Sequence, residues 1–131
     1  MTTVRDLDAL LSSLAPVLRP EAYVFVCLDE ADADGVTCAA SVREAEGVSL
    51  VVTRHTADLA GWDYGFVAAW ITLSVNSDLA AVGLTAAVAS ALAERSIGCN
   101  VIAGFHHDHL LVPFDRKDEA LAVLRLLADR H

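Results

Sequence analysis

Residues 82–113 read "VGLTAAVASALAERSIGCNVIAGFHHDHLLVP", and two hydrophobic periods meet inside them. In the first part Leu84, Val88, Ala91 and Leu92 fall on one stripe at helical spacing, which predicts a helix ending near Ser96. In the second part "CNVIAGF" (99–105) and "HLLVP" (109–113) are short apolar runs on either side of His106-His107-Asp108. Runs of that length, bounded by polar residues, predict two strands and an exposed turn at 106–108.

Upstream, "FVAAWITLSV" (66–75) alternates. Ala69, Ile71, Leu73 and Val75 share one side and Trp70, Thr72 and Ser74 the other, as on a strand with one face on a core. Trp70 is a large apolar anchor on the outward side, placed to pack under the other half of the chain or a partner subunit. Downstream, Asp115 is placed to cap a last helix. Its first turn holds Asp118 and Glu119, Arg125 and Arg130 lie towards its end, and both placements suit the helix dipole. Its apolar face is Ala120, Leu121, Leu124, Leu127 and Ala128.

Towards the N-terminus, Leu7, Leu10, Leu11 and Leu14 form one face of a helix over 4–14, with Thr3 as cap, Asp6 near its positive end and Pro16 and Pro20 as stops. "YVFVCL" (23–28) reads as a buried strand and "DEADADG" (29–35) as a polar turn. "VTCAASVRE" and "GVSLVVTR" read as two strands joined at Glu44–Gly47. "HTADLAGW" reads as a short helical turn capped by Thr56 and stopped by Gly61. The order is helix, three strands, short helix over 1–65, then strand, helix, two strands, helix over 66–131. This predicts an α+β protein of two half-domains, each with helices packed on one face of an antiparallel sheet.

With 131 residues and 55% hydrophobic composition, the chain has material for a compact core. No run approaches the roughly 20 apolar residues of a membrane helix, and the first residues lack a basic start with a continuous apolar centre. A soluble, cytoplasmic protein is expected. The formal charge is −9 and Lys117 is the one lysine. No basic stripe is available for nucleic-acid phosphates or an anionic membrane surface. Cys27, Cys38 and Cys99 are odd in number, widely spaced and without a Cys-x-x-Cys pair, which argues against a disulfide or zinc framework.

The 82–113 stretch resembles the ACT domain, a small regulatory module of ferredoxin-like fold. The resemblance rests on Gly83-Leu84-Thr85 at the helix start, Ala93 to Ile97 at its end, the Asn100–Phe105 strand and Leu110-Leu111-Val112-Pro113. "VREAEGVSLVV" (42–52) is similar to the hairpin of small stand-alone bacterial proteins built from two ACT-like halves. Two departures stand out: Val82 occupies a position where family members often carry proline, and Ser96 one where they usually carry glycine. The resemblance implies an N-terminal ACT-like half at 1–65 and a C-terminal ACT domain at 66–131. It also implies a regulatory role through binding of an amino acid or other small metabolite at a strand-to-helix loop, without catalysis, and a homodimer.

For such a ligand the residues point to Asn76 and Ser77 in the loop, Val82, Gly83, Leu84 and Thr85 at the helix start, and Asn100, Ile102, Gly104 and His106 along the following strand. The free N–H groups of a helix start favour a carboxylate, Gly83 permits close approach to the backbone, and Asn76, Ser77 and Thr85 offer neutral hydrogen-bonding groups. The same features also describe a loop that merely caps a helix. On a strand, His107 and His109 share one face and His106 and Asp108 the other. A His-x-His pair supplies two ligands to a metal such as zinc, and His55 is the only other histidine in the interior of the sequence, so no metal or cofactor is expected. No G-x-S-x-G, phosphate-binding glycine loop or H-E-x-x-H occurs. The alternatives to a ligand-binding regulator are a structural or protein-interaction module without ligand and a histidine-based metal-binding protein.

Overall fold

The computed structural model describes residues 6–75 and 82–131. Asn76 and Ser77, like the Thr3 cap, lie outside the described residues. The elements run α1 (Leu7–Ser12), β1 (Pro16–Leu28), α2 (Glu30–Ala33), β2 (Ala40–Glu44), β3 (Gly47–Thr53), α3 (Arg54–Ala60), β4 (Val67–Leu73), α4 (Leu84–Ala93), β5 (Asn100–Ala103), β6 (Asp108–Pro113), a 3-10 turn (Phe114–Arg116) and α5 (Lys117–Asp129). The fold is α+β with antiparallel strand pairs.

The chain forms two compact units, and they do not follow a single cut. One is Pro20–Ala68. The other joins the residues up to Arg19 to Ala69–His131. The boundaries therefore pass through β1 and β4.

In the Pro20–Ala68 unit the strands lie in the order β2-β3-β1. β2 pairs antiparallel with β3 (Val42 opposite Ser49), and β3 with β1 (Val52 opposite Val24). Val24 and Val26 of β1, Val48, Leu50 and Val52 of β3 and Ala57 of α3 make its core. Gly47 starts β3 at φ 148°, and a Cβ there would meet the Leu28 carbonyl oxygen at 2.7 Å, so the close approach of β1 admits glycine alone. The acidic run 29–35, expected as a turn, contains the one-turn helix α2, because Asp29 accepts from the Asp32 amide at 2.7 Å and supplies its cap. The α3 cap is Thr53 rather than Thr56. Gly61 ends α3 in the left-handed conformation at φ 73°.

In the other unit the order is β4-β6-β5, with β5 and β6 an antiparallel hairpin in which Asn100 lies opposite Leu111 and Ile102 opposite His109. Ala69, Ile71, Leu73 and Val75 all enter the core, with Leu84, Val88 and Leu92 of α4, Leu110 and Val112 of β6, and Ala120, Leu121, Val123 and Leu124 of α5. Leu10, Leu11 and Leu14 join the same core, so α1 packs with α4 and α5 although it precedes β1 in the chain. Its cap is Asp6, whose carboxylate accepts from the Asp8 and Ala9 amides. Pro16 does follow α1, but Pro20 lies inside β1, which begins earlier than the apolar run 23–28 suggests. Asp115 sits in the 3-10 turn and does not cap α5, whose cap position is Arg116. No helix of the described residues is long and apolar enough to cross a membrane.

Candidate functional site

The start of α4 is an open helix end. Gly83 is its cap residue at φ 100°, a conformation that side-chain-bearing residues rarely adopt, and no side chain of the described residues bonds to the helix start. The first amides of a helix have no partner within it, and among the described residues no side chain supplies one here. Val82, just outside, is 83% exposed, and Thr85 is exposed. Leu84 turns the other way, into the core. Leu7 of α1 packs against Gly83, where a Cβ would meet its Cδ2 at 3.2 Å. The tip therefore has an apolar wall from α1 on one side.

The β5 residues are arranged differently from the α4 tip. Val101 packs with the helical core. By strand alternation Asn100, Ile102 and Gly104 lie on the opposite face of the sheet, with Asn100 exposed. The Gly104 amide donates to the His107 carbonyl at 2.9 Å and so closes the hairpin turn. The turn spans 104–107, one to two residues earlier than expected, and Asp108 already belongs to β6. His106 is exposed, its ring edge-on to Phe105 with centroids 5.0 Å apart. Gly83 and Leu84 are thus brought together with α1, while Asn100, Ile102 and Gly104 are brought together with β6.

The polar centre on that second face was not singled out from sequence. Thr72 Oγ1 accepts the Trp70 indole N–H at 3.1 Å and lies 3.0 Å from His109 Nδ1. The Trp70 and His109 rings are 5.2 Å apart, and the Arg19 guanidinium sits 4.2 Å from the Trp70 ring centroid. Burial, then the charges of Arg19 and His107, hold the His109 imidazole below its ordinary pKa, against an upward pull from Asp108. Alternation does place Trp70 and Thr72 on one face, but nothing local in the sequence says that β6 lies beside β4.

Among the described residues no group of three or more His, Cys, Asp or Glu side chains is arranged to hold a metal ion. A separate open cleft of ≈ 460 Å³ lies in the Pro20–Ala68 unit, lined by Glu21, Ala22, Thr53, Arg54, His55 and Asp58. None of these was placed in the ligand site by the sequence.

Comparison with known proteins adds the following. Two ACT-domain profiles match, one over residues 2–69 and one over residues 66–125. A Vibrio cholerae protein of unknown function, described as a possible transport protein, is similar in structure with TM-score 0.85 and 40% identity, covering 95% of this chain and 97% of that one. An Agrobacterium tumefaciens protein has TM-score 0.65 at 22% identity over 88% of this chain and 89% of its own. The regulatory subunit of aspartate kinase from Thermus flavus has TM-score 0.67 at 9% identity, covering 88% and 98% respectively. No curated protein matches the chain.

Proposed function

This chain belongs to the ACT-domain family, and from that premise we propose that it is a non-enzymatic regulatory protein that binds a small metabolite, an amino acid, at the start of α4. The family and the regulatory-subunit fold it shares point to small-molecule-binding regulation. The observation that carries the site is the α4 tip. Its Gly83 cap is in the left-handed conformation and no side chain of the described residues engages its amides. A ligand carboxylate is suited to those amides and to the positive end of the ten-residue helix. Thr85, Val82 and the loop residues Asn76 and Ser77 would surround it. Asn100, Ile102 and Gly104, on the sheet face away from the helices, and His106 in the hairpin are the further residues of the expected site, and they stand apart from the α4 tip.

In sequence the two ACT-like halves are taken as 1–65 and 66–131; the profile matches at 2–69 and 66–125, overlapping at 66–69, support that reading, whereas the compact units assign the residues up to Arg19 to the second half. A homodimer is supported by the edge strands β2 and β5, each paired on one side only within its unit. The three free cysteines suit a reducing, cytoplasmic setting.

Thermal shift against the common amino acids at millimolar concentration tests the reading. At least one should raise the melting temperature of the wild type. Val82→Asp, which sets a carboxylate of the protein's own beside the helix tip, should abolish that rise. No stabilisation by any amino acid, or a rise untouched by Val82→Asp, would overturn the site.

A further inference from the structure

We propose that His109 is a proton-sensitive latch: as a neutral imidazole it fastens the β5–β6 hairpin to β4 through Thr72 and Trp70, and taking up a proton loosens the hairpin. The inference is independent of any ligand at the α4 tip.

An indole N–H only donates, so Trp70 occupies one lone pair of Thr72 Oγ1 at 3.1 Å. His109 Nδ1 lies 3.0 Å from the same oxygen. The latch takes Nδ1 as the acceptor of the Thr72 hydroxyl hydrogen, with the neutral ring's own hydrogen on Nε2. Next to Nε2 lies Gly104. A Cβ there would come within 3.1 Å of Nε2 and 2.8 Å of the His107 carbonyl oxygen, so the hairpin backbone and the imidazole are in direct contact. His107 reaches from the same turn towards the Val75 carbonyl, with Nδ1 at 3.5 Å. The hairpin is thereby held to β4 and to the residue that follows it on the way to α4.

Protonation acts on this arrangement at one atom. With Nδ1 protonated, Thr72 Oγ1 has to accept from both His109 and Trp70, and its own hydrogen loses its acceptor. The new charge is half-buried and faces positive neighbours: Arg19 from β1 and His107 from the hairpin turn. Among the described residues β4 presents the neutral Trp70 and Thr72, β5 presents Ile102, and the hairpin turn presents Gly104. Among the described residues Asp108 supplies the opposing charge, and as the preceding strand residue its side chain points to the other face. Burial, Arg19 and His107 together keep the folded-state pKa below the ordinary 6.5. The unfolded chain therefore binds this proton more readily than the folded one. The latch contributes fully above about pH 6.5 and is lost as pH falls through the folded-state value.

The full-length Trp62→Phe variant isolates Trp70 emission for a titration from about pH 8 to about pH 4.5, a span that brackets histidine protonation. Histidine NMR and amide hydrogen exchange follow the same samples. The His109 ring should titrate with a midpoint below 6.5. Trp70 emission should step at the same midpoint. The Gly104 amide should lose protection, relative to its intrinsic exchange rate, below it. His109→Gln should remove the emission step. His107→Gln should move the midpoint upward, and it reads the coupling even if His109→Gln does not fold. A His109 midpoint at or above 6.5, or Gly104 protection unchanged across the step, overturns the proposal.

Discussion

Arg116 donates through Nη2 to the carbonyl oxygen of Arg95 at 3.0 Å, so the residue that opens α5 also holds the turn that follows α4. Nη1 reaches the Ser96 carbonyl at 3.4 Å. Glu119 holds the fork in place, accepting from Nε at 2.9 Å and lying 2.8 Å from Nη2. Arg95 and Ser96 lie in the turn just past α4, and the guanidinium supplies donors to carbonyl oxygens of that turn. Arg116→Ala should lower unfolding stability by about 1 kcal/mol, read as a drop in the urea midpoint. Arg116→Lys should recover only part of it, because an ammonium has no planar fork. An unchanged midpoint in Arg116→Ala would show the contact to be idle.

Ser96 is the one non-glycine among the described residues with positive φ, at 57°. It follows α4 where a left-handed residue ends the helix, and a Cβ is disfavoured there. Ser96→Gly should stabilise the protein by about 0.5–1 kcal/mol, while Ser96→Val should destabilise it. Thermal denaturation of the pair gives both signs. A Ser96→Gly variant no more stable than wild type would mean that the seryl side chain compensates its own strain.

Leu124 is fully buried in the core that joins α1, α4 and α5 to β4 and β6. Leu124→Ala should cost about 2–5 kcal/mol, the range for a leucine truncated in a packed core. Since Leu10 and Leu11 share that core, amide exchange should rise in α1 as well as in α5. Faster exchange confined to α5 would contradict a shared core.

Gly104 has no room for a side chain. Gly104→Ala should cost about 1–3 kcal/mol through overpacking and should displace the His109 ring, seen as a shift of its NMR signals. Unmoved His109 signals would show that the hairpin yields instead.

Cys27 is exposed, whereas burial pushes the Cys99 thiol above its ordinary pKa. The thiolate is the reactive form. Iodoacetamide at neutral pH should therefore label Cys27 first and Cys99 slowly, with mass spectrometry locating each adduct. Cys27→Ser should remove the fast phase. Equal rates at the two positions would contradict the burial of Cys99.

The expected elements recur in the structure wherever the pattern is periodic. Ala69, Ile71, Leu73 and Val75 were assigned to one face by alternation, and all four are core residues. The α4 and α5 stripes face the same core, with Ala91, Leu127 and Ala128 partly buried. Terminal positions fared less well. Thr56, Asp115 and Pro20 were given capping or stopping roles from residue type alone, and the structure gives those roles to Thr53 and Arg116 or places the residue inside a strand. A cap depends on where the backbone leaves helical geometry, and several neighbouring residues could serve. At the proposed ligand site, the role of Gly83 at the start of α4 was legible because a left-handed cap favours glycine. The placement of Asn100 was not, since the sequence does not say which face of β5 meets the helices.

Local periodicity, then, was sufficient for the type and buried face of the strongly patterned elements, though not for the one-turn α2, because polarity at a spacing of two or of 3.6 residues acts within a few residues of chain. The neighbours of those faces came from long-range packing. Leu10, Leu11 and Leu14 join the core of Ala69–His131, and Thr72 meets His109 across 37 residues of sequence. Apolar burial has no direction and does not name its partner; only when all the faces are buried at once is one set of neighbours selected.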